Sequence, residues 1–211
     1  MATFEDAGNR IFYAFGPDNI RKYEGTWPNQ IFVGMDFNYS PMTAVIGVRS
    51  GEELHIIDEI RMMTSNTDEM TQELKSRYPH LAPNRIWVYP DPASRQNKTS
   101  AGGRTDLSIL QNAGFTVKCP NSHEPVRDGI NAVNSRLFTA AGERRLFIDP
   151  KCKYTIESME RWTYKEGTSV PDKDSGYDHF ADCVRYMISY IWPVKRDLVP
   201  QPAQRWTHRT I

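Results

Sequence analysis

Three strand-like runs follow one another between residues 31 and 62, and they constrain the fold of this chain more than any other feature. IFVGMDF starts at Ile31, TAVIGV at Thr43 and ELHIIDEIRM at Glu53. Each is rich in apolar and β-branched residues, and Ser50-Gly51 between the second and third is a tight-turn signal. Strands joined this briefly pair antiparallel, so the spacing predicts a three-strand meander.

Helical signals come next. Asn66 is placed to cap a helix whose Asp68 and Glu69 suit a positive first turn and whose Met70, Leu74 and Tyr78 recur every four residues up to Pro79. Arg85–Tyr89 reads as a buried strand stopped by Pro90-Asp91-Pro92, Leu107 and Leu110 as a helix ended by Gly114, and Phe115–Lys118 as a short strand. Pro125 opens a helix carrying Ile130, Val133, Leu137 and Phe138, with Gly142 as its stop, before the strand Arg145–Ile148. A helical turn at Ile156 and Met159, a short strand over Arg161–Lys165 and a polar loop lead to a last helix, Asp178–Trp192, stopped by Pro193. The order βββαβαβα predicts a mixed α/β domain. We expect it over residues 31–196, after a lead-in of residues 1–30 in which IFYAF (11–15) forms a short strand, and before a flexible tail, 197–211.

A length of 211 residues suits one domain, and 39% hydrophobic residues exclude a wholly disordered chain. Lys plus Arg number 26 and so do Asp plus Glu, so no net charge draws the molecule to nucleic acid or an anionic membrane, and any nucleic-acid contact has to be a local patch. Cys119, Cys152 and Cys183 lack CxxC spacing, against both a disulfide framework and a zinc knuckle. Acids in MATFEDAGNR and the lack of any apolar run of ~20 residues predict a soluble, cytoplasmic protein without a membrane span.

The candidate chemistry lies in carboxylates. Asp36 and Asp91 each follow an apolar strand at its carboxyl end, where sheets commonly place ligands, although each is also a good turn residue beside proline. If the strands are neighbours, the two acids can converge on a hard divalent cation such as Mg²⁺ or Mn²⁺. On the last helix Asp178, His179 and Asp182 share one side; Asp178 also suits a helix cap, and Asp182, set among Phe180, Ala181, Val184, Met187 and Ile188, needs either a metal or a partner such as Arg185. Asp58 and Glu59 alternate faces of a strand and stay outside this set.

The segments GMDFNYSP, YPDPAS, LFIDPKC and YDHFADCVRYMI, in this order, resemble the C-terminal nuclease domain of bacteriophage large terminase subunits. Cys183 stands where that family usually has alanine. The resemblance implies an RNase H-like fold, a mixed sheet flanked by helices, in which Asp36, Asp91 and Asp182 gather two Mg²⁺ or Mn²⁺ ions for DNA hydrolysis, with Asp178 and His179 at the auxiliary position. We take Asp36, on the central first strand, as the carboxylate bridging two ions ~3.5–4 Å apart, with Asp91 holding one ion and Asp182, helped by His179 or Asp178, the other; the resemblance gives Asp149 no catalytic role. It further implies double-stranded DNA, an ATPase domain, a small terminase subunit and a portal protein as partners, and action in the host cytoplasm. No GxxxxGK[ST] loop occurs in the chain, so an ATPase motor is not encoded here. Arg95, Lys98, Arg104, Lys165 and Lys173 are candidates for holding the DNA backbone, each weighed against solvated surface charge. Two other readings stand beside this one: another RNase H-like nuclease, such as a junction resolvase or an RNA–DNA hybrid ribonuclease, and a non-catalytic DNA- or portal-binding module.

Overall fold

A computed structural model describes residues 9–92, 104–120 and 125–194. The expected meander is present as β1 (Ile31–Asp36), β2 (Met42–Ser50) and β3 (Glu53–Met62), paired antiparallel in that order, with Gly51 at φ +59° making the β2–β3 turn. Then follow α1 (Thr67–Arg77), β4 (Ile86–Pro90), α2 (Asp106–Asn112), β5 (Thr116–Val117), α3 (Val126–Leu137), β6 (Leu146–Ile148), α4 (Lys153–Arg161) and α5 (Asp178–Ile191). β4 pairs parallel with β1, β5 with β4 and β6 with β3, giving the order β5-β4-β1-β2-β3-β6. The mixed sheet places the carboxyl ends of β1 and β4 side by side at its centre.

Alternation along the strands divides the apolar residues between two cores. Ile31, Val33 and Met35 of β1 pack with Met70 and Leu74 of α1 and Leu110 of α2. Phe32 of β1 and Tyr89 of β4 join residues of α3, α4 and α5 on the opposite face. A bulge in β3 serves this split: Ile46 faces Asp58 and Gly47 faces Ile56, so Ile57 is the extra residue. Asp58 and Glu59 therefore land on opposite faces and both find partners. Asp58 accepts from Arg77 and from the Tyr78 hydroxyl (3.1 and 3.2 Å), while Glu59 accepts from the Tyr154 and Thr155 N–H groups (3.0 and 2.8 Å) and the Thr155 hydroxyl (2.7 Å) at the start of α4. The cap expected at Asn66 is formed, its side chain accepting from the Glu69 N–H at 3.0 Å.

Several local expectations are corrected. IFYAF is a turn rather than a strand, and it is not peripheral: Ile11, Phe12 and Phe15 are buried beside Trp162, the Ile11 N–H donates to the Trp162 carbonyl (2.9 Å), and the Asn19 amide donates to the carbonyls of Leu137 and Leu146. The organised part thus begins well before Ile31, the lead-in sealing the end of α3 and β6. α3 stops at Leu137, where Phe138 turns extended (φ −152°) and half-exposed, and Gly142 (φ +80°) serves the following turn instead. The turn at Ile156 and Met159 is a full helix, α4, and Arg161–Lys165 contributes only isolated bridges, Thr163 to Arg10 and Tyr164 to Pro171. The tail expected over 197–211 lies outside the described residues.

Candidate active site

Asp36 is the last residue of β1, and Met35 before it pairs with Pro90. The Asp91 N–H donates to the Met35 carbonyl at 3.1 Å, so Asp91 continues the parallel pairing and stands beside Asp36. Asp182 arrives from α5, and Gly34 is what lets it. A side-chain carbon at Gly34 would lie 1.9 Å from the Cys183 carbonyl oxygen, so strand and helix backbones are in direct contact there. Gly34 and Asp36 point to the same side of the sheet, and Cys183 follows Asp182, so this contact sets the helix acid against the strand acid. Cys183 itself is fully buried, its thiol 3.4 Å from the Thr43 hydroxyl.

The electrostatics register the cluster. Burial pushes the Asp36 carboxyl above its ordinary range, the hydrogen bond from His179 opposes this, and the charges of Asp182 and Asp91 push it further up. Asp36 Oδ2 meets His179 Nδ1 at 3.2 Å and accepts from the Asn38 amide. That contact with Asp36 is the main cause raising the His179 imidazole above its usual value. Asp178 does not cap α5, since Tyr177 holds the cap position; its carboxyl is raised by burial, and its Oδ1 is buried without a hydrogen-bond partner, 4.0 Å from His179 Nδ1.

Asp182 is the most enclosed of the acids. Its Oδ1 accepts from Arg185 Nε and lies 2.8 Å from a terminal nitrogen of the same guanidinium, which is buried too. The Lys173 ammonium is 3.5 Å from Oδ2. Space for Arg185 comes from Gly129 in the interior of α3, where an added carbon would lie 2.8 Å from Arg185 Cγ. A glycine inside a helix costs about 0.5–1 kcal/mol relative to alanine, so it signals a close neighbour.

Asp36, Asp91 and Asp182 thus lie near enough for Asp36 to feel the charge of the other two, with His179 in contact with Asp36 and Asp178 beside His179. Among the described residues, no three His, Cys, Asp or Glu side chains stand together as ready ligands of one ion, and Asp36 and Asp182 are engaged by amide, imidazole, guanidinium and ammonium groups. The oxygen-rich donor set and the unpartnered Asp178 oxygen nonetheless fit a hard divalent cation that exchanges for these partners. Of the candidate DNA contacts, Lys173 adjoins the acids. Lys165 is paired with Asp174 (2.8 Å), Arg104 reaches Asp68 of α1 (3.1 Å) on the opposite layer of the sheet, and Arg95 and Lys98 lie outside the described residues. The sequence reading missed Asn38, Gly34 and Gly129. The two glycines were visible as interruptions of an apolar strand and of a helical pattern.

No protein-family model and no curated protein sequence matches the chain. Solved structures do. The large terminase of the thermophilic bacteriophage D6E superposes with a TM-score of 0.69 at 18% identity over 87% of this chain, which spans 45% of that protein. The P22 large terminase nuclease domain gives 0.62 at 18% identity, covering 84% of this chain and 89% of that one. The large terminase nuclease of the thermophilic phage G20c, with bound magnesium, gives 0.60 at 14% identity, covering 86% and 97%. The chain has the fold of the phage large-terminase nuclease domains. The mixed α/β sheet flanked by helices expected from the sequence is therefore the one observed, and these nuclease domains match it nearly end to end. No helix of the described residues is long and apolar enough to cross a membrane.

Proposed function

We propose that this chain is the nuclease part of a phage large terminase, a metal-dependent endodeoxyribonuclease that cuts concatemeric viral DNA during genome packaging in the host cytoplasm. What supports the reading is the position of Asp36 and Asp91 at neighbouring strand ends with the charge of the helix acid Asp182 felt at Asp36, in a fold shared with terminase nucleases. The magnesium and cobalt bound in the G20c nuclease support a divalent ion in the same role here.

Asp36, Asp91 and Asp182 would hold the ions, Mg²⁺ or Mn²⁺, with Asp178 and His179 alongside. Two such ions supply an activated water for in-line attack and stabilise charge on the leaving oxygen. The protein's part is positioning. Arg185 fixes Asp182 by two contacts to one oxygen and leaves the other to Lys173. His179 and Asn38 orient Asp36, as outer partners orient metal-binding carboxylates. Lys173 is placed to meet a phosphate at the acids. Duplex DNA is the substrate in this reading, and an ATPase domain, the small terminase subunit and the portal are the partners.

The test is incubation with supercoiled plasmid in Mg²⁺ or Mn²⁺ against EDTA, with D36N as the control. Nicking and linearisation in metal alone, lost in D36N, is the expected result. Equal cleavage in EDTA, or preferential cutting of four-way junctions or RNA–DNA hybrids in competition, would overturn it.

A further inference from the structure

The two oxygens of Asp182 are held in unequal ways. Oδ1 belongs to Arg185, whose guanidinium is buried, lies over the Tyr186 ring (4.6 Å) and is hemmed in by Gly129. Among the described residues Oδ2 meets only the Lys173 ammonium, at 3.5 Å, on a side chain that remains 59% exposed. A buried guanidinium with two contacts to one carboxylate oxygen is costly to remove, whereas an exposed ammonium on a four-carbon stem exchanges partners readily.

The backbone around Lys173 is nevertheless pinned. The Trp162 indole donates to the Asp172 carbonyl (2.7 Å), the Asp172 N–H donates to the Thr163 carbonyl (2.9 Å), and Asp174 is tied to Lys165 (2.8 Å) and through its N–H to the Asp172 carboxylate (3.0 Å). Anchors on both sides of a free side chain give a fixed pivot with a mobile charge. The stem opens onto a groove of about 730 Å³ lined also by Asp91, Pro120, Val126, Arg185 and Tyr186, so the ammonium has room to move without leaving the acids' neighbourhood.

We propose that Lys173 is a place-holding cation: its ammonium neutralises Asp182 until a divalent ion enters the acid cluster, and the displaced ammonium then takes a DNA phosphate in the adjoining groove. The proposal rests on the metal-dependent nuclease reading above. It follows from charge. Asp36, Asp91, Asp178 and Asp182 repel one another and any phosphate, so a cation at Asp182 favours the folded cluster before an ion arrives. The same cation repels an incoming ion and has to leave. Metal loading and DNA binding become linked through one side chain, each favouring the other as reciprocity requires.

The experiment uses the full chain and two variants, K173M and K173R. K173R should melt with wild type and K173M at or slightly below it, because the lost ammonium sits on a largely exposed side chain and offsets the acids' repulsion only weakly. Titration with Mn²⁺, followed by calorimetry, should show K173M binding about three- to tenfold more tightly than wild type and K173R binding as wild type does. Binding of a short duplex is then followed by fluorescence anisotropy across salt concentrations, in Ca²⁺ and in EDTA. The wild-type salt slope should be steeper in Ca²⁺ by about one phosphate contact, and K173M should lose that increment. The proposal requires both results. An Mn²⁺ affinity of K173M within twofold of wild type, or an increment kept in K173M, overturns it while leaving plasmid cleavage, and the nuclease reading, intact. Wild-type protein that neither binds Mn²⁺ nor cuts plasmid overturns both.

Discussion

Replacing Gly34 with alanine is a direct test of how the site is assembled. Alanine is ordinarily favoured over glycine inside a strand by about 0.5–1 kcal/mol, so without a steric conflict the variant should be slightly stabilised. Here the added carbon would sit 1.9 Å from the Cys183 carbonyl oxygen and 2.7 Å from the carbonyl carbon, where ordinary contact begins near 3.4 Å. Both partners are backbone, so no rotamer change relieves the clash. The gap has to come from α5 moving off β1 by roughly 1–1.5 Å, in an interior packed as densely as a crystal. Overpacking of this kind costs about 1–3 kcal/mol, and backbone against backbone puts G34A near 3. For a domain of this size that lowers Tm by roughly 6–12 °C. The same retreat carries Asp182 away from Asp36, and a misplacement of about 1 Å is enough to reduce turnover about 100-fold.

Thermal unfolding by circular dichroism and plasmid nicking below the transition read the two effects separately. Two controls locate the cause. C183A leaves the offending carbonyl in place and should not rescue G34A, while G47A, whose added carbon would meet the movable end of Leu54 at 3.0 Å, should shift Tm far less. A G34A protein that melts within about 2 °C of wild type and nicks plasmid at its rate would refute the claim that this contact sets the distance between the acids.

Further predictions concern individual charges. Asp36→Asn should abolish cleavage with Tm held or raised, because burial and two neighbouring acids already disfavour the carboxylate; Asp182→Asn should abolish cleavage and lower stability by about 2 kcal/mol, because a buried guanidinium loses its counter-charge, and equal Tm values for the pair would contradict this. Glu59→Ala should cost about 1–2 kcal/mol in a denaturant titration through loss of the α4 cap, with cleavage by the remaining folded protein unchanged. Burial is the main cause depressing the His55 imidazole, so its protonation favours the unfolded chain; stability should be undiminished above about pH 6.5 and fall as the pH drops below it. His55→Gln should lose less Tm than wild type between pH 7.5 and 5.5, and parallel pH profiles would exclude His55 as the source.

The meander, the helix capped by Asn66 and the Asp91 strand were legible because local signals agreed with the tertiary outcome: short turns, period-two runs and a cap with acids behind it. IFYAF was misread because five apolar and aromatic residues in a row satisfy a buried strand and a buried turn equally, and only the partner decides. Ile11 finds the Trp162 carbonyl and Asn134 rather than a strand edge. The end of α3 was misplaced for a related reason. Gly142 is a good helix stop, but the chain leaves the helix four residues earlier, where the Asn19 amide takes the Leu137 carbonyl and so ends the ladder from a segment 118 positions away.

The acids were legible for the opposite reason, since each stood at a place where its chemistry was conspicuous: past an apolar strand or within an apolar helix. Their spacing in three dimensions was not. It is fixed by residues that carry no charge, Gly34 on the strand and Gly129 on the neighbouring helix, which admit the α5 backbone and the Arg185 stem. The basic residues were least legible, because a lysine's partner depends on which side of the sheet its loop crosses. Lys165 and Lys173 lie in one short segment, yet Lys165 is tied to Asp174 and helps pin the loop, while Lys173 stands over Asp182. On the proposed reading, an acid cluster that stays folded with and without metal ions needs cations of two kinds: one that never leaves, buried and held by two contacts, and one that can. The unequal environments of the two Asp182 oxygens provide that division.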